Sequence, residues 1–241
     1  MRQEQTKKCV KCEVLSMTIN IGINLEKYVI LAADTRTVYF LYGKQMYTDE
    51  SQKIQKTKIG LITGAGYKDL LDEVKYQLAQ RDINHTDQII QIIKEQVGAF
   101  SQQAFPEIKK VIDVTGWLLT YRTQVEKTPI LRLALLHPQF NYELALCEKN
   151  KSCVIMPLGA NEEITEAVSD TINKKIKPLE NMSKIKENIS YHSALIKQII
   201  STVSKNFKSV SPTFHIGVHS IDDKMGISTR VKNETFSIRL S

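Results

Sequence analysis

Thr18-Ile-Asn-Ile-Gly-Ile-Asn-Leu-Glu-Lys-Tyr-Val-Ile-Leu-Ala-Ala-Asp34-Thr-Arg36 is the stretch on which the fold turns. Two β-branched runs, 18–23 and 28–33, flank the polar Asn24-Leu25-Glu26-Lys27. Valine and isoleucine are stiff at χ1 and pack well on a pleated surface, and a short polar break between two such runs lets the chain reverse, so the spacing predicts a β-hairpin. Upstream, residues 1–15 are polar and charged and are expected to form an arm outside the core.

Downstream, residues 53–55 and 58–63 predict a second hairpin that ends in the glycine-rich Gly64-Ala65-Gly66. The period then shifts to that of a helix. Leu70, Leu71, Val74 and Leu78 predict one over 67–81, and Ile89, Ile90, Ile93 and Val97 another over 86–104, opened by Thr86 and Asp87 and stopped by Pro106. Short strand-like runs return at 117–120, 130–136, 142–147 and 153–156, divided by turns at Lys127-Thr128-Pro129, His137-Pro138 and 148–151. Helical spacing resumes over 161–174 and over 184–205, where Ile189, Leu195, Ile199 and Val203 share a face. Strands at 213–220, 226–231 and 235–240 close the chain. A sheet must bury its apolar face, and the helices arrive in pairs. The order therefore predicts an α+β fold, a four-layer αββα sandwich of two antiparallel sheets flanked by helix pairs. Residues 18–241 are expected to form that domain behind an arm of residues 1–17.

Composition narrows the function. A chain of 241 residues with 42% hydrophobic and 24% charged side chains is able to bury one sizeable core. No apolar run approaches the roughly 18 to 20 residues that cross a bilayer, and MRQEQTKKCVKCEV lacks the apolar stretch of a signal peptide, so a cytoplasmic protein without membrane attachment is expected. Cys9, Cys12, Cys147 and Cys153 are too few and too scattered for a disulfide framework; Cys9 and Cys12 have metal-ligand spacing, but no second pair completes a tetrahedral site. The formal charge of +7 raises the question of a nucleic-acid partner, and no basic stripe interleaved with aromatics answers it. Lys174, Lys175, Lys177, Lys184 and Lys186 crowd one region, yet Glu180 and Glu187 dilute them, which describes a solvated surface. His215 and His219 alternate on one strand without a third ligand of suitable spacing, His192 falls mid-helix, and Trp117 is expected to anchor a core or an interface.

The opening stretch resembles the start of a mature proteasome β-type subunit, an N-terminal-nucleophile hydrolase and threonine peptidase. In that family a threonine opens the first strand and an Ala-Ala-Asp-x-Arg motif ends the second; here the match is gapless and falls on Thr18, Asp34 and Arg36. Ser51-Gln52-Lys53-Ile54 resembles the lysine strand once a short insertion is allowed before it, and Ile62-Thr63-Gly64-Ala65 resembles the strand end whose glycine N–H forms the oxyanion hole. The resemblance runs from residue 18 through the late strands. It implies Thr18 as nucleophile, Asp34 and Lys53 as a supporting pair, Arg36 beside them, Gly64 as oxyanion donor, and Ser211 as the serine of a late turn.

The chemistry of such a set stands without the family. A threonine hydroxyl needs a base, which an α-amine with a reference pKa of about 8 supplies, directly or through a water. The nucleophile must therefore be the first residue of the processed chain. A lysine beside the hydroxyl depresses the amine's pKa, a carboxylate holds that lysine, and a glycine N–H at the developing oxyanion is worth on the order of 3 kcal/mol. Amine-assisted acyl transfer requires no metal or organic cofactor. The resemblance implies polypeptide or peptide substrates, bound as an added strand, a ring-forming homo-oligomer, and room for a regulatory ATPase.

Three positions depart from the family. Met17 stands where glycine usually precedes the threonine, which disfavours self-cleavage of residues 1–17. Pro157-Leu158-Gly159-Ala160 resembles a Gly-Ser-Gly turn but carries Leu158 in place of the hydroxyl that contacts the amine. Lys208 takes the place of the aspartate in an Asp-x-x-Ser-Gly turn, with Ser209 or Asn206 as alternatives after a small shift. These departures keep two other readings open: a catalytically inactive structural or interaction subunit of the same fold, and a nonpeptide amidase built on it.

Overall fold

The hairpin forms as β2 (Asn20–Asn24) and β3 (Tyr28–Asp34), antiparallel with Asn20 opposite Ala33 and Asn24 opposite Val29. Its turn closes through Leu25 N to Tyr28 O at 2.9 Å and through the Asn24 side-chain oxygen, which accepts from Glu26 N at 3.1 Å. The computed structural model describes residues 14–16, 18–41, 44–102 and 108–228. The strand expected at 235–240 and the pair Cys9 and Cys12 lie outside those residues.

Around the hairpin stands a five-stranded sheet in the order β11 (Lys151–Ile155), β2, β3, β12 (Phe214–Ser220), β13 (Met225–Ile227). The facing sheet runs β10 (Ala145–Leu146), β9 (Thr128–Leu136), β8 (Gly116–Val125), β7 (Leu61–Tyr67), β1 (Val14–Ser16), β4 (Thr37–Leu41), β5 (Lys44–Thr48), with β6 (Gln55–Lys56) also paired to β7. Every pairing among the described residues is antiparallel.

Alternation along the strands builds the layers, because successive side chains leave a strand on opposite faces. Tyr28, Ile30 and Ala32 of β3 pack with Leu195, Ile196, Ile199 and Ile200 of α5 (Ile185–Asn206) and Ile172 of α4 (Glu162–Asn173). Their neighbours Val29, Leu31 and Ala33 face the other way, against Leu61, Leu118, Leu131 and Leu133 of the second sheet. On the far side of that sheet, Ile62, Trp117 and Leu119 bury against α1 (Lys68–Gln80), α2 (Thr86–Ser101) and the short α3 (Ile108–Ile112). The result is the four-layer αββα sandwich expected from the order of elements. Each aliphatic side chain sealed in it contributes roughly 1.5–3 kcal/mol.

The differences have local causes. β4 and β5 lie in a stretch without an apolar period, and β5 is exposed along nearly its whole length, so no alternation announces it. Residues 14–16, expected in the arm, are β1, paired on both sides. β7 runs through Gly64-Ala65-Gly66 to Tyr67, since β1 and β8 supply partners for that end. The strand expected at 142–147 shrinks to β10; Tyr142 turns inward with φ 55° and meets Trp117 edge-on, ring centroids 6.0 Å apart.

Gly60, in the turn between β6 and β7, approaches β8 closely: a Cβ there would lie 1.7 Å from the Thr120 carbonyl oxygen, a backbone atom that cannot swing aside. Gly60→Ala is therefore expected to cost about 3 kcal/mol, the upper end for overpacking, measured as a lowered urea midpoint at unchanged slope.

Candidate active site

Thr18 precedes β2 and Asp34 ends β3, so the hairpin register alone brings them together. Ile19 N donates to Asp34 Oδ1 at 3.1 Å, and Asp34 N to Ile19 O at 3.3 Å. Lys53 arrives from the loop between β5 and β6. That loop is held by Ser51 N donating to Thr35 O at 3.1 Å and by the Ser51 and Thr37 hydroxyls at 2.5 Å. Thr18 and Asp34 are fully buried, and Lys53 is 4% exposed.

The Lys53 ammonium donates to Thr18 Oγ1, to Asp34 Oδ1 at 3.3 Å and to the Arg36 carbonyl. An ammonium has three protons, and here each has an acceptor. Asp34 is equally occupied. Besides Lys53 and Ile19 N, its Oδ2 accepts from Arg36 N at 2.9 Å and from Ser211 N at 3.0 Å. Burial pushes the Asp34 carboxyl above its ordinary range, while Lys53 and the N–H groups of Ser211 and Arg36 pull it back. Burial likewise pushes Lys53 below the ordinary ammonium value, opposed by Asp34. A lysine depressed in this way releases a proton more readily, and the atom it touches is a hydroxyl oxygen.

Arg36 points away from the hydroxyl. Its Nε and Nη2 grip Asp49 at 2.7 and 2.8 Å, its Nη1 donates to the Lys208 carbonyl at 2.6 Å, and it stacks 4.0 Å from the Tyr47 ring centre. It clamps the end of β5 to the turn before β12. Ser211 enters that turn through its backbone N–H; its Oγ accepts from Thr213 N at 3.0 Å. The Lys208 side chain is exposed, its carbonyl is what the clamp uses, and Ser209 beside it is buried.

Two clefts border this centre. One, of about 250 Å³, is lined by Thr37, Lys53 and Gly64 together with residues of α1. Gly64 is closely packed, since a Cβ there would stand 2.5 Å from Leu71 Cδ2 and 2.9 Å from Trp117 Cδ1. The other, of about 190 Å³, is lined by Thr18, Gly66, His137 and the 157–160 turn. Leu158 is 49% exposed on that turn, so an apolar side chain stands on the wall of this cleft.

His137 was legible only as a turn residue, because its place in the lining of the second cleft with Thr18 depends on how the two sheets face each other. Burial lowers its pKa, against the pull of Asp113. His219 bonds Thr120 Oγ1 at 2.9 Å and Asp223 Oδ1 at 3.1 Å, bridging the two sheets, and His215 Nδ1 lies 3.2 Å from Ser228 O. No group of three metal-ligating side chains occurs among the described residues. Burial pushes the Cys147 and Cys153 thiols up to about 12 and about 11, which leaves them unreactive at neutral pH. Among the described residues no helix is long and apolar enough to cross a membrane.

No family model matches the chain, and no curated protein matches it. Solved structures do. A Gly-1 mutant of Anbu from Hyphomicrobium sp. strain MC1 superposes with a TM-score of 0.56 at 14% identity, over 93% of this chain and 86% of that one. The likeness is one of fold, and it agrees with the four-layer α+β sandwich described above.

Proposed function

We propose that this chain is a threonine-type peptidase subunit that hydrolyses peptide bonds through Thr18. The observation that supports this reading is the Lys53 ammonium, buried and bonded at once to the Thr18 hydroxyl and the Asp34 carboxylate. In the reaction, Thr18 Oγ attacks the substrate carbonyl carbon and its proton passes to the α-amine of residue 18. The amide bond breaks, the amine portion leaves with that proton, and water then hydrolyses the ester left on Oγ. Lys53 stabilises the alkoxide as it forms, and the Gly64 N–H is assigned to the oxyanion. The bond between Met17 and Thr18 has to be cut first, because an amide nitrogen cannot act as base. In this reading, residues 18–241 are the hydrolase domain, residues 1–17 a propeptide-like segment, and the working form a ring of identical subunits.

One observation favours a second reading. β1 sits between β7 and β4, with Ser16 opposite Gly66 and Leu15 opposite both Tyr67 and Val38. An extended substrate bound as an added strand would need that slot. A chain that keeps β1 there is a structural subunit with an assembled but covered centre.

Intact mass and turnover of fluorogenic peptides, measured on the same purified sample, separate the two. The peptidase reading expects a chain that begins at residue 18 and cleaves peptides. A chain of that mass that cleaves none overturns it, and retention of residues 1–17 without turnover establishes the structural subunit.

A further inference from the structure

The cleft that shares Lys53 with the Thr18 centre holds more positive charge than it balances. Lys53 is paired with Asp34, and Lys68 with Asp72 one turn along α1. Lys75 also lines this cleft, and its Nζ donates only to a neutral acceptor, the Gln52 carbonyl at 3.0 Å. Among the described residues no carboxylate lies within ion-pair distance of it. Burial lowers the Lys75 pKa, with Asp72 near enough to oppose the shift but engaged by Lys68. An incoming carboxylate would restore the balance. The second cleft differs in kind, its lining including no lysine or arginine.

The course of the chain indicates which part of a substrate meets Lys75. Residues 14–16 approach Thr18 from the N-terminal side along the slot between β4 and β7. A substrate strand in that slot has its acyl portion there, next to Thr37 and Gly64, which are also walls of the lysine-lined cleft. Resting on the peptidase reading above, we infer that this cleft receives the side chain on the acyl side of the scissile bond and that Lys75 selects a carboxylate there, so that the preferred substrates are peptides cut after glutamate or aspartate.

The test uses the purified protein and four fluorogenic peptides identical except for the residue before the reporter: Glu, Gln, Leu or Lys. Glu and Gln have the same shape, so their ratio isolates charge. The expected kcat/KM for Glu exceeds that for Gln by about tenfold at low salt and falls as salt is raised, with Lys the poorest. Lys75→Met is expected to bring the Glu to Gln ratio to about one, and Lys75→Glu to turn the preference towards Lys. Equal cleavage of Glu and Gln by the unmodified protein, a ratio insensitive to salt, or a preference that survives Lys75→Met each overturns the inference and leaves the peptidase reading standing. Silence towards all four peptides overturns the peptidase reading, and the inference with it.

Discussion

Asp34→Asn is expected to lower the unfolding free energy by about 3–5 kcal/mol, the range for breaking a buried ion pair from one side. The substitution leaves the Lys53 ammonium buried without an anion. It also puts an amide NH2 where an oxygen now accepts, among the N–H groups of Ile19, Arg36 and Ser211. Lys53→Met attacks the same pair from the other end and is expected to cost less, about 1–3 kcal/mol. In that variant Asp34 keeps its three backbone donors and is able to take up a proton. Combining the two is not expected to restore stability, as it does for pairs that touch only each other, because the one amide oxygen of asparagine cannot serve the three N–H groups that two carboxylate oxygens now accept from. Urea unfolding of the three variants at equal slope checks the order. An Asp34→Asn protein as stable as its parent would contradict the role of Asp34 as the point where β2, β4 and the turn before β12 meet.

Thr18→Ala is expected to abolish peptide hydrolysis, with kcat falling on the order of 10⁴-fold or more, as for loss of a nucleophile in other acyl-transfer enzymes. It also removes one acceptor from Lys53, at a cost of about 1–3 kcal/mol, so stability has to be measured beside activity. Thr18→Ser separates the two effects, since it restores a hydroxyl without the methyl and is expected to recover part of the turnover. Equal rates for Thr18→Ala and the parent would refute Thr18 as nucleophile. Loss of activity in both variants, with folding intact, would point to the methyl group as what positions Oγ.

Much of this centre was legible before any coordinates. Thr18 and Asp34 sit at the two open ends of one predicted hairpin, so their proximity follows from period and turn alone. Lys53 was placed by resemblance, since β5 before it is exposed along nearly its whole length and offers no alternation to mark its register. Ser211 was legible as a residue of the turn, but the backbone N–H by which it meets Asp34 was not. Lys208 was read in the place of an aspartate, with Ser209 or Asn206 as alternatives, and the contact it makes, through its carbonyl to Arg36, was not legible. Backbone groups carry no mark of residue type, which is why such contacts escape a reading of side chains.

The amino-acid order by itself determined the layers and the hairpin, because both arise from hydrophobic period and turn chemistry acting over a few residues. It determined the hydroxyl and its carboxylate for the same reason. Tertiary structure decided the rest: that Val14–Ser16 fill the slot between β7 and β4, that the turn before β12 closes on Asp34 across 177 residues, and that Lys75 lines a cleft whose one carboxylate, Asp72, is engaged by Lys68. These depend on which strand edges and charges remain unpaired once two sheets have packed, and that is a property of the whole assembly rather than of any segment.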